Sequence, residues 1–362
     1  MQTGKKHKVL IFALSGIGDA LMFTPALRLL RNNFPYAEID VIVMYKGSEE
    51  ILRSTGLADK VVRFDFLKEG PFRSLSFVLS LGRNRYSHAI NVYPSNRKEY
   101  NIISFLTGAV RRGAVKYIRR DLTNLGFLNN VTVREDDTRH NVETNLLLVR
   151  KMFGIESGDK PPLIFNISDD SNAWAVDYLK KINSGKKYII GMHPGCSTLK
   201  NHIKRRWEPE KFADLAENLS VHHNASVLIF GGPEEDELKN YVKSKTTAPD
   251  IRVVNAPSLA KSAALINLCH AFVTNDSSLM HVSAAMGVRT VAIIGPTNTS
   301  YIYPWQTEHR IAALNLECAP CFFYSPKPLS CTRTDVQYKC IKELMPEHVF
   351  SKLTELLPDL AD

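Results

Sequence analysis

The strongest constraint on the fold is a repeated alternation of apolar runs rich in valine and isoleucine with stretches of helical spacing. Strands are predicted at 8–13, 39–44, 61–66, 88–92 and 110–113 and again at 188–192, 226–230, around 253, 271–274 and 290–294. Such alternation implies parallel sheets covered by helices on both faces. The sequence therefore predicts an α/β protein in which two Rossmann-like domains face each other across a cleft.

The length of 362 residues also favours two domains, because single cores rarely grow beyond roughly 250–300 residues. We expect an N-terminal domain over 1–170 and a C-terminal domain over 186–340. The alternation breaks after residue 154, and the later part of 154–187 is interpreted as a linker. The segment 341–362 is expected to form a helix that packs back across the domains.

The charge balance gives the first indication of partners. A net charge of +9 favours an acidic partner such as a nucleotide, a phosphorylated glycan or an anionic membrane surface, although solubility alone also explains it. No basic arm or stripe indicates nucleic acid. The apolar run after Lys8 is interrupted by Asp19, and no run is long enough to cross a membrane. We expect a cytoplasmic protein, with peripheral contact to the inner face of the cell membrane left open.

The loop Ser15-Gly16-Ile17-Gly18-Asp19 follows the first predicted strand and opens a helix. Its glycines allow close approach to a ligand. A dinucleotide fingerprint would need a third glycine or alanine where Leu21 stands, which argues against a nicotinamide or flavin site. Asp19 is either a helix cap or a general base kept ionised by the helix dipole.

Three loops after predicted strands of the second half offer donors and cations for an anion. They are His193-Pro194-Gly195-Cys196-Ser197-Thr198 with the following Lys204 and Arg205, Gly231 to Glu235, and Asn275 to His281. Each also has a plain interpretation, respectively a solvated basic loop, a helix start, and a capped helix with a buried core histidine. The chain has no Asp-x-Asp pair, which a cation on a diphosphate normally needs, so helix dipoles and basic side chains would hold the phosphates.

These motifs, in this order, resemble glycosyltransferase family 9, the ADP-heptose:lipopolysaccharide heptosyltransferases and their relatives. The opening strand with Thr24-Pro25-Ala26-Leu27 is similar to the start of the family. The later matches are His193-Pro194-Gly195 with Arg205-Arg206-Trp207, the segment 276–287, and Gly295-Pro296-Thr297. The chain departs from the family pattern at Ser278, where glycine is usual, at Asn91, where many members have aspartate, and by an insertion at 201–203.

The resemblance implies a GT-B fold and sugar transfer with inversion, without a metal or other cofactor. The nucleotide-sugar donor, an ADP-sugar, would bind the C-terminal domain, and a glycan or glycolipid acceptor the N-terminal one. Asp19 falls on the catalytic base. The implied donor-binding residues are Ser197, Thr198, Lys204, Arg205, Glu235, Asp276, Ser277, Ser278 and His281. The implied acceptor-binding residues are Gly18, Ser95, Asn96 and Arg97.

Four cysteines, Cys318, Cys321, Cys331 and Cys340, cluster near the C-terminus. The Cys-x2-Cys pair fits a structural metal site, but the second pair lacks that spacing, so packing of the segment is the competing explanation. The alternatives to the transferase are a non-catalytic nucleotide- or glycan-binding protein on the same fold, a transferase using another nucleotide sugar, a dehydrogenase and an epimerase.

Overall fold

The computed structural model describes residues 7–95, 97–119, 121–182, 185–323 and 328–360. The chain divides into two compact units, and the boundary in the chain falls between Asn166 and Ile167. Each unit has one six-stranded sheet, and all strand pairs in both sheets are parallel. The predicted α/β class with two Rossmann-like sheets is therefore confirmed.

The sheet of the first unit has the order β3-β2-β1-β4-β5-β6. Its strands are β1 (Lys8–Ala13), β2 (Glu38–Val43), β3 (Lys60–Arg63), β4 (His88–Asn91), β5 (Arg111–Lys116) and β6 (Val131–Arg134). Its helices are α1 (Ile17–Asn33), α2 (Lys46–Ser54), α3 (Gly70–Gly82), α4 (Lys98–Leu106) and α5 (Asn141–Phe153). The strand order reverses between β1 and β4, which is where ligands bind in open parallel sheets.

The sheet of the second unit has the order β12-β11-β10-β7-β8-β9 and so repeats the same topology. Its strands are β7 (Tyr188–His193), β8 (Ala225–Ile229), β9 (Ile251–Val253), β10 (Ala271–Asn275), β11 (Thr290–Ile293) and β12 (His309–Ala312). Its helices are α6 (Asp169–Ile182), α7 (Pro209–His222), α8 (Asp236–Ser244), α9 (Leu259–Ile266), α10 (Ser278–Ala285), α11 (Lys339–Lys342) and α12 (Pro346–Thr354). Its order reverses between β7 and β10.

The central strands are apolar on both faces because helices cover both sides of each sheet. In β1, Val9, Leu10 and Ile11 are fully buried, and so are Val227 and Leu228 in β8. The helix α1 is buried along most of its length. This packing holds the loops at the carboxyl ends of β1 and β7 on rigid supports.

The interpretation of the later part of 154–187 as a linker is wrong, because α6 occupies most of it. This helix was hard to recognise since its buried residues are only Ser171 and Ala175. The helix begins after Ser168, whose hydroxyl accepts a hydrogen bond from the Ser171 N–H at 3.3 Å. Acidic residues in its first turn and lysines in its last turn complement the helix dipole. The short strands β6 and β12, at the edges of the sheets, were not predicted either.

The terminal helix α12 packs against α7, β11 and β12 of its own unit. Its proposed packing across both domains stays a prediction. Over the described ranges, no helix is both long and apolar enough to cross a membrane.

Candidate functional site

The strand-order reversal of the second sheet brings three loops together around His193, the last residue of β7. The ring Nδ1 lies 2.8 Å from the Ser277 Oγ, just after β10, and Nε2 lies 2.9 Å from the Glu235 Oε2, after β8. All three side chains are buried. One imidazole therefore fixes the relative positions of the three loops that were singled out as anion-binding candidates.

Glu235 has its carboxylate fully engaged within this cluster. Its Oε2 also accepts the Gly232 N–H at 3.1 Å, and its Oε1 lies 3.7 Å from an Arg206 nitrogen. Burial acts to raise the pKa of Glu235, but His193, Gly232 and Arg206 together outweigh it and the pKa is lowered. A Cβ placed on Gly195 would lie 1.7 Å from the Glu235 Oε1, so only glycine leaves room for this carboxylate.

Asn275 ties the loop after β7 to the end of β10. Its side-chain Nδ2 donates to the Pro194 carbonyl at 2.7 Å, and its Oδ1 accepts the Trp207 N–H at 2.9 Å. The indole of Trp207 is fully buried and donates to the Leu344 carbonyl at 2.7 Å. The basic segment before Trp207 is therefore anchored at both ends.

Arg205 and Asp276 form a buried ion pair in the same region, with 2.5 Å between Nη1 and Oδ2. Thr297, in the loop after β11, donates to the same Asp276 oxygen at 2.7 Å. The Arg205 guanidinium also lies over the Phe322 ring, 5.3 Å from its centroid. Burying two charges is costly unless additional contacts satisfy them, and Thr297 supplies one such contact to Asp276.

Four buried nitrogen atoms around this cluster lack a hydrogen-bond partner among the described residues. They are Nε2 of His202, Nε of Arg205, Nε of Arg206 and Nδ1 of His281. Burial lowers the pKa of His202 and of His281 to about 4, so both rings are neutral at pH 7. Buried nitrogens without partners are costly unless a ligand satisfies them. Arginine N–H groups can only donate, so an anionic ligand is the matching partner.

The remaining predicted donor residues border this cluster. Ser197, Thr198 and Lys204 are exposed, in and after the loop that follows β7. Ser278 is half-buried and begins α10, whose first turn also contains His281. Lys204 and Arg205 differ in burial: Lys204 is exposed, whereas Arg205 is buried in its ion pair with Asp276.

The order reversal of the first sheet places Asp19 in the first turn of α1, directly after β1. Its Oδ2 accepts the Gly16 N–H at 3.0 Å, and the side chain is only half-buried. Gly18 is buried beside it. Asp19 therefore contributes to the start of the helix while the residue stays partly accessible, so the capping and general-base roles are compatible.

Three tyrosines lie within electrostatic range of Asp19. The charge of Asp19 acts on Tyr45, Tyr100 and Tyr117, and burial is the main reason why the pKa of each phenol is raised. Tyr117 accepts the N–H of the buried Ser95 at 2.5 Å, after β4. The phenols therefore stay protonated at neutral pH and offer O–H donors.

Of the predicted acceptor-binding residues, Arg97 is exposed, and its charge acts on Tyr45 and Tyr100. Asn96 lies outside the described residues. Gly18, Ser95 and Arg97 are therefore brought to the same edge of the sheet as Asp19, at the carboxyl ends of β1 and β4.

The four C-terminal cysteines line one small cavity together with Pro296 and Leu329. Burial raises the pKa of Cys340 to about 11, and the neighbouring thiols act in the same direction. The Cys331 sulfur accepts the Tyr338 N–H at 3.2 Å. Within the ranges that the structure describes, no three histidine, cysteine, aspartate or glutamate side chains are arranged to hold a metal ion.

Several residues of the cluster were missed as site residues. His193, Arg206, Asn275 and Thr297 stand within recognisable sequence motifs, whereas His202 has no signal of its own. The buried Lys239 was also missed; its Nζ donates to the Val254 carbonyl at 3.1 Å and to Asn255 Oδ1 at 3.2 Å. An apolar-to-polar change at the last residue of a buried strand, as at Asn275, is the signal that could have found one of them.

Two doubly wound sheets with polar clusters at their reversal points define an α/β protein of the ligand-binding Rossmann class. The model of the family described as glycosyltransferase family 9 (heptosyltransferase) matches residues 75–329. The chain is 30% identical over 359 residues to lipooligosaccharide heptosyltransferase 2 of Campylobacter jejuni, covering 97% of this chain and 98% of that protein.

Solved structures share the fold. The Escherichia coli ADP-heptose lipopolysaccharide heptosyltransferase II superposes with a TM-score of 0.73 at 21% identity, covering 98% of this chain and 100% of that one. The E. coli heptosyltransferase WaaC with ADP gives a TM-score of 0.65 at 17% identity, over 98% and 99% of the two chains. The chain belongs to glycosyltransferase family 9 and is a glycosyltransferase with the GT-B fold.

Proposed function

We propose that this enzyme transfers a heptose from ADP-heptose to a lipopolysaccharide core or related glycan acceptor, with inversion and without a metal. The main observation in favour of a nucleotide-sugar site is the set of buried nitrogens without hydrogen-bond partners around the Arg205–Asp276 pair. The support for the sugar and the acceptor comes from the names of these relatives, which are heptosyltransferases of lipopolysaccharide or lipooligosaccharide.

The donor diphosphate would lie against the loops after β7 and β10. The first turn of α10 would supply N–H groups, with the hydroxyl of Ser278 beside them. The hydroxyls of Ser197 and Thr198 and the ammonium of Lys204 are exposed and would close over the phosphates from the other side. Arg205 would donate through its unpaired Nε while Asp276 holds its Nη1.

In this proposal, Glu235 positions the loops of the donor site. Its two oxygens already face His193, Gly232 and Arg206. Its carboxylate would keep the three donor loops in register, and ribose binding would need one of these contacts to be exchanged. The same applies to Ser277, whose hydroxyl lies on the His193 ring.

The chemical step is a displacement at the anomeric carbon. The acceptor oxygen forms a bond to that carbon from the side opposite the diphosphate, and the bond to the diphosphate oxygen breaks with its electron pair. The proton of the acceptor hydroxyl moves to Asp19, and the configuration inverts. The tyrosine hydroxyls and Arg97 would orient the acceptor next to the carboxylate.

The test combines binding and turnover. Calorimetry in EDTA should give binding of ADP and ADP-heptose in preference to GDP, UDP and their sugars. Asp19→Asn should bind ADP normally and lose roughly 10²–10⁴ in turnover, because general base catalysis is removed. The matched control is Asp59→Asn, which makes the same change on the amino side of β3, where the carboxylate accepts the Ile39 N–H at 2.7 Å.

Each part of the proposal has its own contrary result. Binding that requires added magnesium contradicts the metal-independent donor site, and preference for another nucleotide contradicts ADP-heptose while keeping the transferase. Nucleotide binding without turnover of any sugar would favour the non-catalytic alternative. Normal turnover by Asp19→Asn would show that Asp19 is only a cap.

A further inference from the structure

The positive charge of the chain is concentrated in one stretch. Residues 70–120 hold ten of the 46 lysines and arginines but one of the 37 aspartates and glutamates. This stretch therefore accounts for the whole net charge of +9, and the rest of the chain is electrically balanced. A segment with such an excess attracts an anionic partner.

The same stretch exposes apolar side chains on α3. Phe72 is 88% exposed, Leu79 51% and Leu75 46%, and their spacing places them on one side of the helix. The opposite side carries Val78 and Leu81, which are buried. A helix with apolar residues toward both protein and surroundings indicates that the outer side also has an apolar partner.

Neighbouring elements extend this apolar surface. The helix α3 packs against α4, and α4 packs against the 3₁₀ turn Gly126–Leu128, so the three lie side by side over the sheet. Phe105 at the end of α4, Val110 beyond it and Phe127 in the turn are exposed at 48%, 72% and 66%. We call this group of exposed side chains on neighbouring elements the apolar face: Phe72, Leu75, Leu79, Phe105, Val110 and Phe127.

Arginines border the apolar face. Arg83 and Arg85 follow the end of α3, and Arg111 begins β5; all three are exposed. The Arg112 guanidinium lies 5.3 Å from the centroid of the Phe105 ring and donates to the Ala109 carbonyl at 2.7 Å. At the start of α3, Glu69 is paired with Arg73, and Glu99 in the first turn of α4 is the one carboxylate of the stretch 70–120. The border is therefore predominantly cationic.

We propose that the apolar face docks on the surface of an anionic lipid bilayer, with α3 lying in the headgroup region. Apolar side chains that enter the acyl boundary beside arginines that meet lipid phosphates are the pattern of interfacial helices. An anionic bilayer offers phosphates to the exposed Arg83, Arg85 and Arg111, and its acyl boundary accepts the exposed apolar side chains of α3 at the same surface. The proposal rests on the proposed function in one respect, since a lipid-linked acceptor would be located at the bilayer surface.

The experiment is co-sedimentation of the full chain with vesicles of phosphatidylcholine containing about one third phosphatidylglycerol, against phosphatidylcholine alone. We expect binding to the anionic vesicles that weakens with salt. The variant carrying Phe72→Ser, Leu75→Ser and Leu79→Ser should lose about ten-fold or more in vesicle affinity. A second variant with Arg83→Glu and Arg111→Glu should lose the preference for anionic lipid.

The control variant carries Val176→Ser, Val221→Ser and Met345→Ser, three exposed apolar residues of the second unit, and should bind vesicles like the wild type. ADP binding and turnover of a water-soluble acceptor should be unchanged in all variants, which separates this proposal from the proposed function. The proposal is overturned if the wild type does not sediment, or if the serine variant sediments equally. It is also overturned if light scattering shows that the serine substitutions instead dissociate a dimer.

Discussion

The two order-reversal points share one strand topology, and their polar residues are built in different ways. In the second sheet, the polar residues of the cluster are buried and bonded across loops: His193 contacts Glu235 and Ser277, and Arg205 pairs with Asp276. In the first sheet, Asp19 is half-exposed, and its carboxylate accepts the Gly16 N–H at the start of its own helix. The difference is that one edge is buried and cross-linked between loops, as the proposed diphosphate site requires, and the other is partly accessible, as the proposed general base requires.

The largest effect that would distinguish the two edges is on stability. Asp276→Ala leaves the Arg205 charge buried without its carboxylate and should cost about 3–5 kcal/mol of unfolding free energy. Asp19→Ala removes a contact at a helix start and should cost about 0.5–2 kcal/mol. The measurement is urea denaturation of both variants. All three tryptophans, Trp174, Trp207 and Trp305, lie in the second unit, so fluorescence follows that unit and circular dichroism follows the whole chain.

Equal costs for the two variants would contradict the comparison, because they would mean that the Arg205–Asp276 pair is worth no more than a cap. A full loss of ADP binding in Asp19→Ala would also contradict the comparison, because it would mean that the first edge holds the nucleotide.

The two edges also differ in how much of each could be predicted from the sequence. The loop of Asp19 is local: a strand, two glycines and a helix start within a few residues, so its place at a strand end was predicted. The partners within the second edge are far apart in sequence, 71 positions for Arg205 and Asp276 and 81 for Asn275 and Pro194. They meet because the chain crosses from β9 to β10 beside β7, which no single segment encodes. The helix α6 was missed for another reason, since few apolar residues mark its buried side.

A smaller effect is expected where glycine makes room for the network. Gly195→Ala places a methyl group 1.7 Å from the Glu235 Oε1, and this carboxylate cannot swing away without losing His193 and Gly232. We expect a cost of about 1–3 kcal/mol in stability, as for overpacked cores, together with weaker ADP binding.

The matched control is Gly158→Ala, where a Cβ meets nothing within 4 Å, and its change should stay within about 0.5 kcal/mol. Calorimetry with ADP and urea denaturation measure both. Unchanged ADP affinity in Gly195→Ala would separate the network from the donor site.

The smallest effect concerns the charge of Glu235 alone. Because its folded-state pKa is lowered below the ordinary value of 4.5, its ionised form stabilises the fold fully above that value, and this stabilisation is lost as the pH falls through the folded-state pKa. Glu235→Gln keeps the shape and one hydrogen bond to His193, so the variant should lose about 1 kcal/mol at neutral pH. Urea denaturation by tryptophan fluorescence between neutral and acid pH should show this gap closing below 4.5. A gap that stays constant with pH would mean that the packing of Glu235, and not its charge, holds the three loops together, and the second edge would then differ from the first in burial alone.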